Sequence, residues 1–350
     1  GHEDIIFKQM GILPRKEIIY NKFGKVDDIL EFITTDSKKL NNDEVRIKVY
    51  SVGLNPVDYK IFEGVKQLRI LSFFMKLKRP SEWFKSKKAL FPRGVGRDFS
   101  GIILEIGSNV SNFSVGDKVF GTIINPPGLG TKKGALTTEL CVKESEIYIK
   151  PDNISFNMAS TMGVASLTVG GAFRKINLQS DDIVVISAAS GGIGSIAVQY
   201  AVAKGAKVLG IASENSSEYI KSLGGIPISY NRDIESQIYE CLSEKEKVTK
   251  FLDCFGGEYV KLGFNLGLKG SDIGTLVPSP YVMIRGANFT GPRHSRYSDF
   301  IELAKLVSNN QVKINVDNVY NFSLADVKKA YNKLEQGHTK GKLVVEINKE

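Results

Sequence analysis

Between residues 182 and 256 the sequence switches repeatedly between a strand pattern and a helix pattern. "DIVVIS" (182–187) is apolar on both faces, and "GIGSIAVQYAVAKG" (192–205) gathers Ile193, Ile196, Ala197, Tyr200 and Ala201 on one helical face. "KVLGIAS" (207–213), "SSEYIKSLG" (216–224), "IPISY" (226–230), a polar helix near 233–247 and "KFLDCFG" (250–256) continue the alternation. Parallel strands need a crossover between them, and a helix supplies it. This stretch therefore predicts an α/β unit, a parallel sheet covered by helices on both faces.

The turn between the first strand and its helix reads Ala189-Ser190-Gly191-Gly192-Ile193-Gly194, with alanine at the first position of a G-x-G-x-x-G pattern. A helix N-terminus presents unpaired N–H groups and the positive end of its dipole, which suit a pyrophosphate. Gly191 would let the backbone approach the phosphates, and Gly194 would let the helix lie close to the strand. The tight-turn role falls to Ala189. Ser190, Gly191, Gly192, Ile193 and Gly194 are the expected pyrophosphate contacts of a dinucleotide.

An acidic residue at the end of the second strand would hold a free ribose 2′-hydroxyl. Here the strand ends Ala212-Ser213, with Glu214 next. Ser213, Asn215 and Ser216 leave room for a 2′-phosphate, while Tyr230 and Arg232 could cover the adenine and supply positive charge. The expectation is NADPH rather than NADH, although Glu214 would repel a phosphate if it pointed inward.

The first 150 residues read as β-rich, with strand patterns at 15–35, 44–53, 99–106 and 117–125. A small-residue helix is expected over 157–173, two helices over 298–307 and 324–337, and a strand over 341–347. Formal net charge is +9, and residues 66–88 hold eight Lys or Arg against one acid, Glu82. Such charge attracts nucleic acid, a membrane surface or an anionic cofactor, or simply forms a solvated face. Cys141, Cys241 and Cys254 are far apart and odd in number, which fits a reducing compartment. No apolar run reaches the ~18 residues that span a bilayer, and no leader pattern opens the sequence, so a cytoplasmic protein is expected.

The segments "NPVDYKIFEG", "GRDFSGIILEIGSNVSNFSVGDKVFG", "AASGGIGSIAVQYAVAKGAKVLGIAS", "KSLGG", "FLDCFGG" and "GKLVVEI", in this order, resemble the zinc-free medium-chain dehydrogenase/reductase superfamily. The likeness is to its quinone oxidoreductase and enoyl reductase branches, fungal members included. It implies a GroES-like β-rich catalytic domain (1–151 and 291–350) and a Rossmann doubly wound, NADP-binding domain (152–290). It also implies a cleft where nicotinamide meets substrate, and in many relatives a homodimer. By resemblance, Thr168, Phe255, Leu276, Val277 and Lys342 are further cofactor contacts; Pro278 stands where relatives usually have glycine.

The zinc-bearing alcohol dehydrogenase branch carries cysteine and His-Glu where this chain has Asn55 and Arg97-Asp98. Catalytic zinc needs three protein ligands around an open position, so no zinc is expected. A quinone, or an alkene conjugated to a carbonyl, accepts hydride without a Lewis acid. Asn55 is the first candidate to position substrate or nicotinamide, and Tyr59 the second, as a donor or proton source. Asn55 could instead only shape a turn, Tyr59 could equally be a packed aromatic, and solvent could protonate the product. Residues 66–93 depart from the family's shorter connection. They read as a lid, as a peripheral membrane contact or as a packed insertion. The leading expectation is an NADPH-dependent, zinc-independent reductase of quinones or α,β-unsaturated carbonyl compounds. The alternative is an NADPH-binding, membrane-associated or trafficking accessory protein with little turnover. RNA binding rests on net charge alone, and no nucleic acid partner is expected.

Overall fold

The computed structural model describes residues 14–64, 90–124, 131–337 and 339–350. They form two compact units: the chain up to Gly163 together with Val316 onward, and Val164–Asn315 between them.

The first unit opens with β1 (Arg15–Tyr20), β2 (Glu31–Thr35), β3 (Glu44–Gly53), β4 (Arg93–Gly94), β5 (Asp98–Ile106), β6 (Lys118–Thr122), β7 (Glu139–Lys143) and β8 (Ile147–Ile149). In β3, Val45, Ile47 and Val49 are buried while Arg46, Lys48 and Tyr50 alternate with them toward solvent. The stretch read as strand over 15–35 is two strands broken by a short helix, Val26–Ile29. The helix expected over 157–173 is also split, into Phe156–Ala159 and Gly163–Lys175. Between them the Ser160 and Thr161 hydroxyls donate to the carbonyls of Asn157 (2.8 Å) and Met158 (2.6 Å), a local alternative to the helical ladder. Most of the basic segment, residues 65–89, lies outside the described residues. Its last part is packed: Phe91 meets Tyr20 and Phe23 edge-on.

The second unit is built on β9 (Ile183–Ile186), β10 (Lys207–Ala212), β11 (Ile226–Ser229), β12 (Lys250–Asp253), β13 (Ile273–Thr275) and β14 (Asn288–Phe289), paired in parallel in the order β11-β10-β9-β12-β13-β14. This is the doubly wound order, and its topological switch point lies between β9 and β12. All four residues of β9 are buried, as a central strand covered on both faces requires. Its core runs through Val185, Leu209, Ile211, Phe251 and Ile273.

The chain then returns to the first unit with β15 (Val316–Asn321), the helix Leu324–Gln336 and β16 (Lys342–Glu346). The last strand enters the sheet interior, in the order β15-β16-β3-β5-β6-β8. The units thus divide at 163/164 and 315/316, against the 151/152 and 290/291 expected from sequence. Two contacts explain the offset. Phe156–Ala159 packs on β3 and β5, with Ser100 Oγ donating to the Phe156 carbonyl (2.7 Å). Tyr297–Ser308 packs on Gly192–Ala203, with Tyr200 donating to Glu302 (2.9 Å). Among the described residues no helix is long and apolar enough to cross a membrane.

Candidate active site

In the second unit the strand β9 runs into the glycine turn and the helix Gly192–Ala203. The helix is capped by Gly191, and its first backbone bond is Ser195 N–H to the Gly191 carbonyl (2.9 Å). The amides of Gly192, Ile193 and Gly194 therefore have no carbonyl one turn earlier to meet. A Cβ on Gly194 would lie 1.9 Å from the Ala188 oxygen, so glycine is obligatory for this approach. A Cβ on Gly192 would meet nothing within 4 Å, which leaves space above the amides for a ligand. The positive φ of the turn sits at Ala188 (49°), one residue before Ala189, to which the sequence register gave the tight-turn role. Ala189 instead points its methyl inward, fully buried, toward Gly210 of β10. A Cβ on Gly210 would lie 2.9 Å from it. The departure from the glycine pattern is thus matched by a glycine on the neighbouring strand.

A cavity of about 450 Å³ opens beside this turn, lined by Ser190, Gly191, Ser213, Tyr230, Phe255 and Tyr259 among others. Tyr230 and Phe255 are 53% and 67% exposed, apolar rings held at the rim of a cavity, where an adenine would cover them. The unpaired amides, the close glycine and the rim aromatics fit a dinucleotide. Five sequence candidates (Ser190, Gly191, Ser213, Tyr230 and Phe255) line the cavity. Asn215 and Ser216 lie on the short turn after Ser213, whose hydroxyl is 3.0 Å from that of Ser216. Arg232 is not in the lining; it meets the Glu214 carboxylate (3.4 Å) in an exposed pair. Thr168 and Leu276 converge on Gly291, and Val277 covers Gly256.

The strand ends at the switch point are joined by Asp253, which sequence reading missed. Its carboxylate accepts from the Ser187 hydroxyl (2.6 Å), the Thr275 hydroxyl (2.7 Å) and the amides of Phe255 and Gly256 (both 3.0 Å). An aspartate closing an otherwise apolar buried strand, just before Phe255-Gly256-Gly257, was the available signal. Burial, foremost, and then the Asp253 carboxylate raise the adjacent Cys254 thiol above its ordinary value.

The first unit holds Asn55, 1% exposed, at the start of the helix Pro56–Phe62. Its side-chain amide donates to Asp98 Oδ2 (3.0 Å) and its carbonyl accepts from Lys342 Nζ (2.7 Å). The opposite amide orientation would set N–H against ammonium and C=O against carboxylate, so charge fixes the assignment. Lys342 is therefore a ligand of Asn55 within its own unit. Burial, foremost, lowers its ammonium from the usual lysine range, against the pull of Asp98 and Asp58. Asp58 accepts the Asn55 backbone N–H (3.0 Å) and the Tyr331 hydroxyl (2.8 Å), and burial pushes its carboxyl up to about 7. Arg97 donates to the Ile123 carbonyl and faces Asp58 and Asp98 electrostatically. Tyr59 stands outside this network among the described residues: its ring packs against the hydrophobic core. Burial, then Glu335 and Glu63, raise its phenol above the ordinary value.

The profile of the "Alcohol dehydrogenase GroES-like domain" family matches residues 41–188, and that of the "Zinc-binding dehydrogenase" family matches 234–345. The mouse mitochondrial NAD(P)H oxidoreductase RTN4IP1 is 28% identical over 94% of this chain and 88% of its own length. The tomato 2-methylene-furan-3-one reductase is 27% identical over 93% and 77%. The quinone oxidoreductase from Coxiella burnetii superposes with a TM-score of 0.76 at 28% identity, covering 96% of this chain and all of that one.

The chain belongs to the medium-chain dehydrogenase/reductase superfamily. Within it the resemblance is to the quinone and enoyl reductase-like family, and the protein is a nicotinamide-dependent oxidoreductase. As in that superfamily, a GroES-like unit carries the Asn55 network and a Rossmann unit carries the glycine turn. Although one matching superfamily profile is named for zinc, the polar groups gathered around Asn55 here include ammonium and guanidinium, cations without a lone pair for a metal. Among the described residues no three His, Cys, Asp or Glu are grouped to hold a metal ion.

Proposed function

We propose that this superfamily member is an NADPH-dependent, zinc-independent reductase of quinones or α,β-unsaturated carbonyl compounds. The observation that carries the reading is the Lys342–Asn55–Asp98 chain, a fixed amide with cations beside it where the zinc-bearing branch has metal ligands. A bound nicotinamide supplies the hydride. The chain's own residues supply hydrogen-bond donors for an oxygen that gains charge as an acceptor is reduced. Asn55 has one amide hydrogen beyond that given to Asp98, and Lys342 has two beyond that given to Asn55, among the described residues. Lys342 thereby joins Asn55 as a positioning group, and Tyr59 is left to packing. Relatives named as enone and quinone reductases support this substrate class.

For the cofactor, the small hydroxyl residues at 213 and 216 support a 2′-phosphate, and Arg232 is the nearby cation. The test follows NADPH and NADH absorbance against a panel of quinones and enones, with and without chelator. Oxidation of NADPH that survives chelation is expected. Loss of turnover on chelation would refute zinc independence, and tight NADPH binding without turnover on any acceptor would favour the accessory reading.

A further inference from the structure

Asp58 is 3% exposed, and its two oxygens are treated unequally. Oδ2 accepts two donors, the Asn55 amide and the Tyr331 hydroxyl. Oδ1 is buried and has no partner among the described residues. An ionised carboxylate with one bare buried oxygen is costly, whereas a proton on Oδ1 removes the charge and keeps both bonds to Oδ2. The charged and titratable groups that face it are Arg97 in the loop before β5, Asp98 of β5, Lys342 of β16, Tyr331 of the helix Leu324–Gln336 and Tyr20 of β1. With both aspartates ionised, Lys342 and Arg97 balance them. With Asp58 protonated, the group carries one net positive charge.

We propose that Asp58, backed by Tyr331, is a positioning residue whose proton on Oδ1 sets the net charge around the Asn55 amide. Asp58 holds the Asn55 backbone while Asp98 and Lys342 hold its side chain, so the residue is fixed at three points. The protonated state favours negative charge developing beside Asn55; the ionised state opposes it. The inference rests on the reductase reading only in its kinetic arm.

Sign and window follow from the carboxyl's rise from 3.8 to about 7. A raised carboxyl contributes stability that is fully present below the unfolded value and is lost as pH rises through the folded one. Thermal melting from about pH 5 to about pH 8 should therefore show wild type losing several degrees relative to D58N as pH rises. Infrared spectra of wild type should show a protonated carboxylic acid C=O stretch at about pH 6 that fades by about pH 8 and is missing from D58N. Y331F removes a donor that favours the ionised form, so the midpoint of that fading should move up. In the kinetic arm, wild-type kcat should fall about three- to tenfold over the same window, and D58N should flatten the profile.

A wild-type melting profile parallel to that of D58N, or no titrating band, overturns the proposal. If D58N does not fold, the wild-type band and its shift in Y331F decide. If no acceptor is reduced, the reductase reading falls while the melting and infrared results still judge Asp58.

Discussion

Two buried aspartates, one in each unit, are put to different use. Asp253 joins the ends of β9, β12 and β13, and both of its oxygens accept hydrogen bonds from side chains and backbone. Asp58 has donors on one oxygen only, in a cluster with Asp98, Arg97 and Lys342. The difference teaches how to read a buried carboxylate. One surrounded by donors is a structural joint, while one left half-satisfied is a group whose charge can change.

The largest effect should come from D253A. It strips the acceptor from two hydroxyls and two amides, and the cost should be roughly 3–5 kcal/mol, the scale for a broken buried polar network. Urea unfolding would read it. A midpoint equal to wild type would dissolve the contrast with Asp58.

Next comes G194V, which places a side chain where even a Cβ would stand 1.9 Å from the Ala188 oxygen. It should weaken dinucleotide binding at least about tenfold, about 1.4 kcal/mol, by pushing the helix off its turn. Fluorescence titration with NADPH measures this, and unaltered affinity would detach the glycine turn from cofactor binding.

G210A should destabilise by about 1–3 kcal/mol through overpacking against the Ala189 methyl. The double variant A189G/G210A should recover most of that loss in a thermal melt. Without recovery, the pairing of alanine in the turn with glycine in β10 is not what makes room there.

The smallest effect belongs to the exposed Arg232–Glu214 pair. R232A should change stability by less than about 1 kcal/mol. It should nevertheless raise the KM for NADPH a few-fold while leaving that for NADH nearly unchanged. Equal effects on both cofactors would remove Arg232 from 2′-phosphate recognition.

The two sites were not equally legible. The glycine turn is local: Gly191, Gly192 and Gly194 sit within four residues of one another, and backbone geometry demands glycine at 194. The parallel sheet followed from the alternation of strand and helix patterns, because parallel strands need a crossover between them. The Asn55 network is not local. Lys342 lies 287 positions from Asn55 and Tyr331 lies 273 from Asp58, and nothing in either neighbourhood announces the other. Asn55 and Lys342 could be singled out only by family resemblance, and not as partners. Tyr331 left one trace: it shares the apolar face of its helix with Val327 and Ala330, and a phenol on a buried face needs a partner for its hydroxyl. The positive φ at Ala188 left none, because the glycine register points to Ala189.

The place of β16 in the sheet has a consequence for synthesis. The Rossmann unit is one uninterrupted stretch, so it can fold as it leaves the ribosome. The GroES-like unit must wait with a gap beside β3 until the strand bearing Lys342 emerges, nearly three hundred residues after Asn55. A nascent chain therefore gains the means to hold a nucleotide before it gains the means to anchor Asn55.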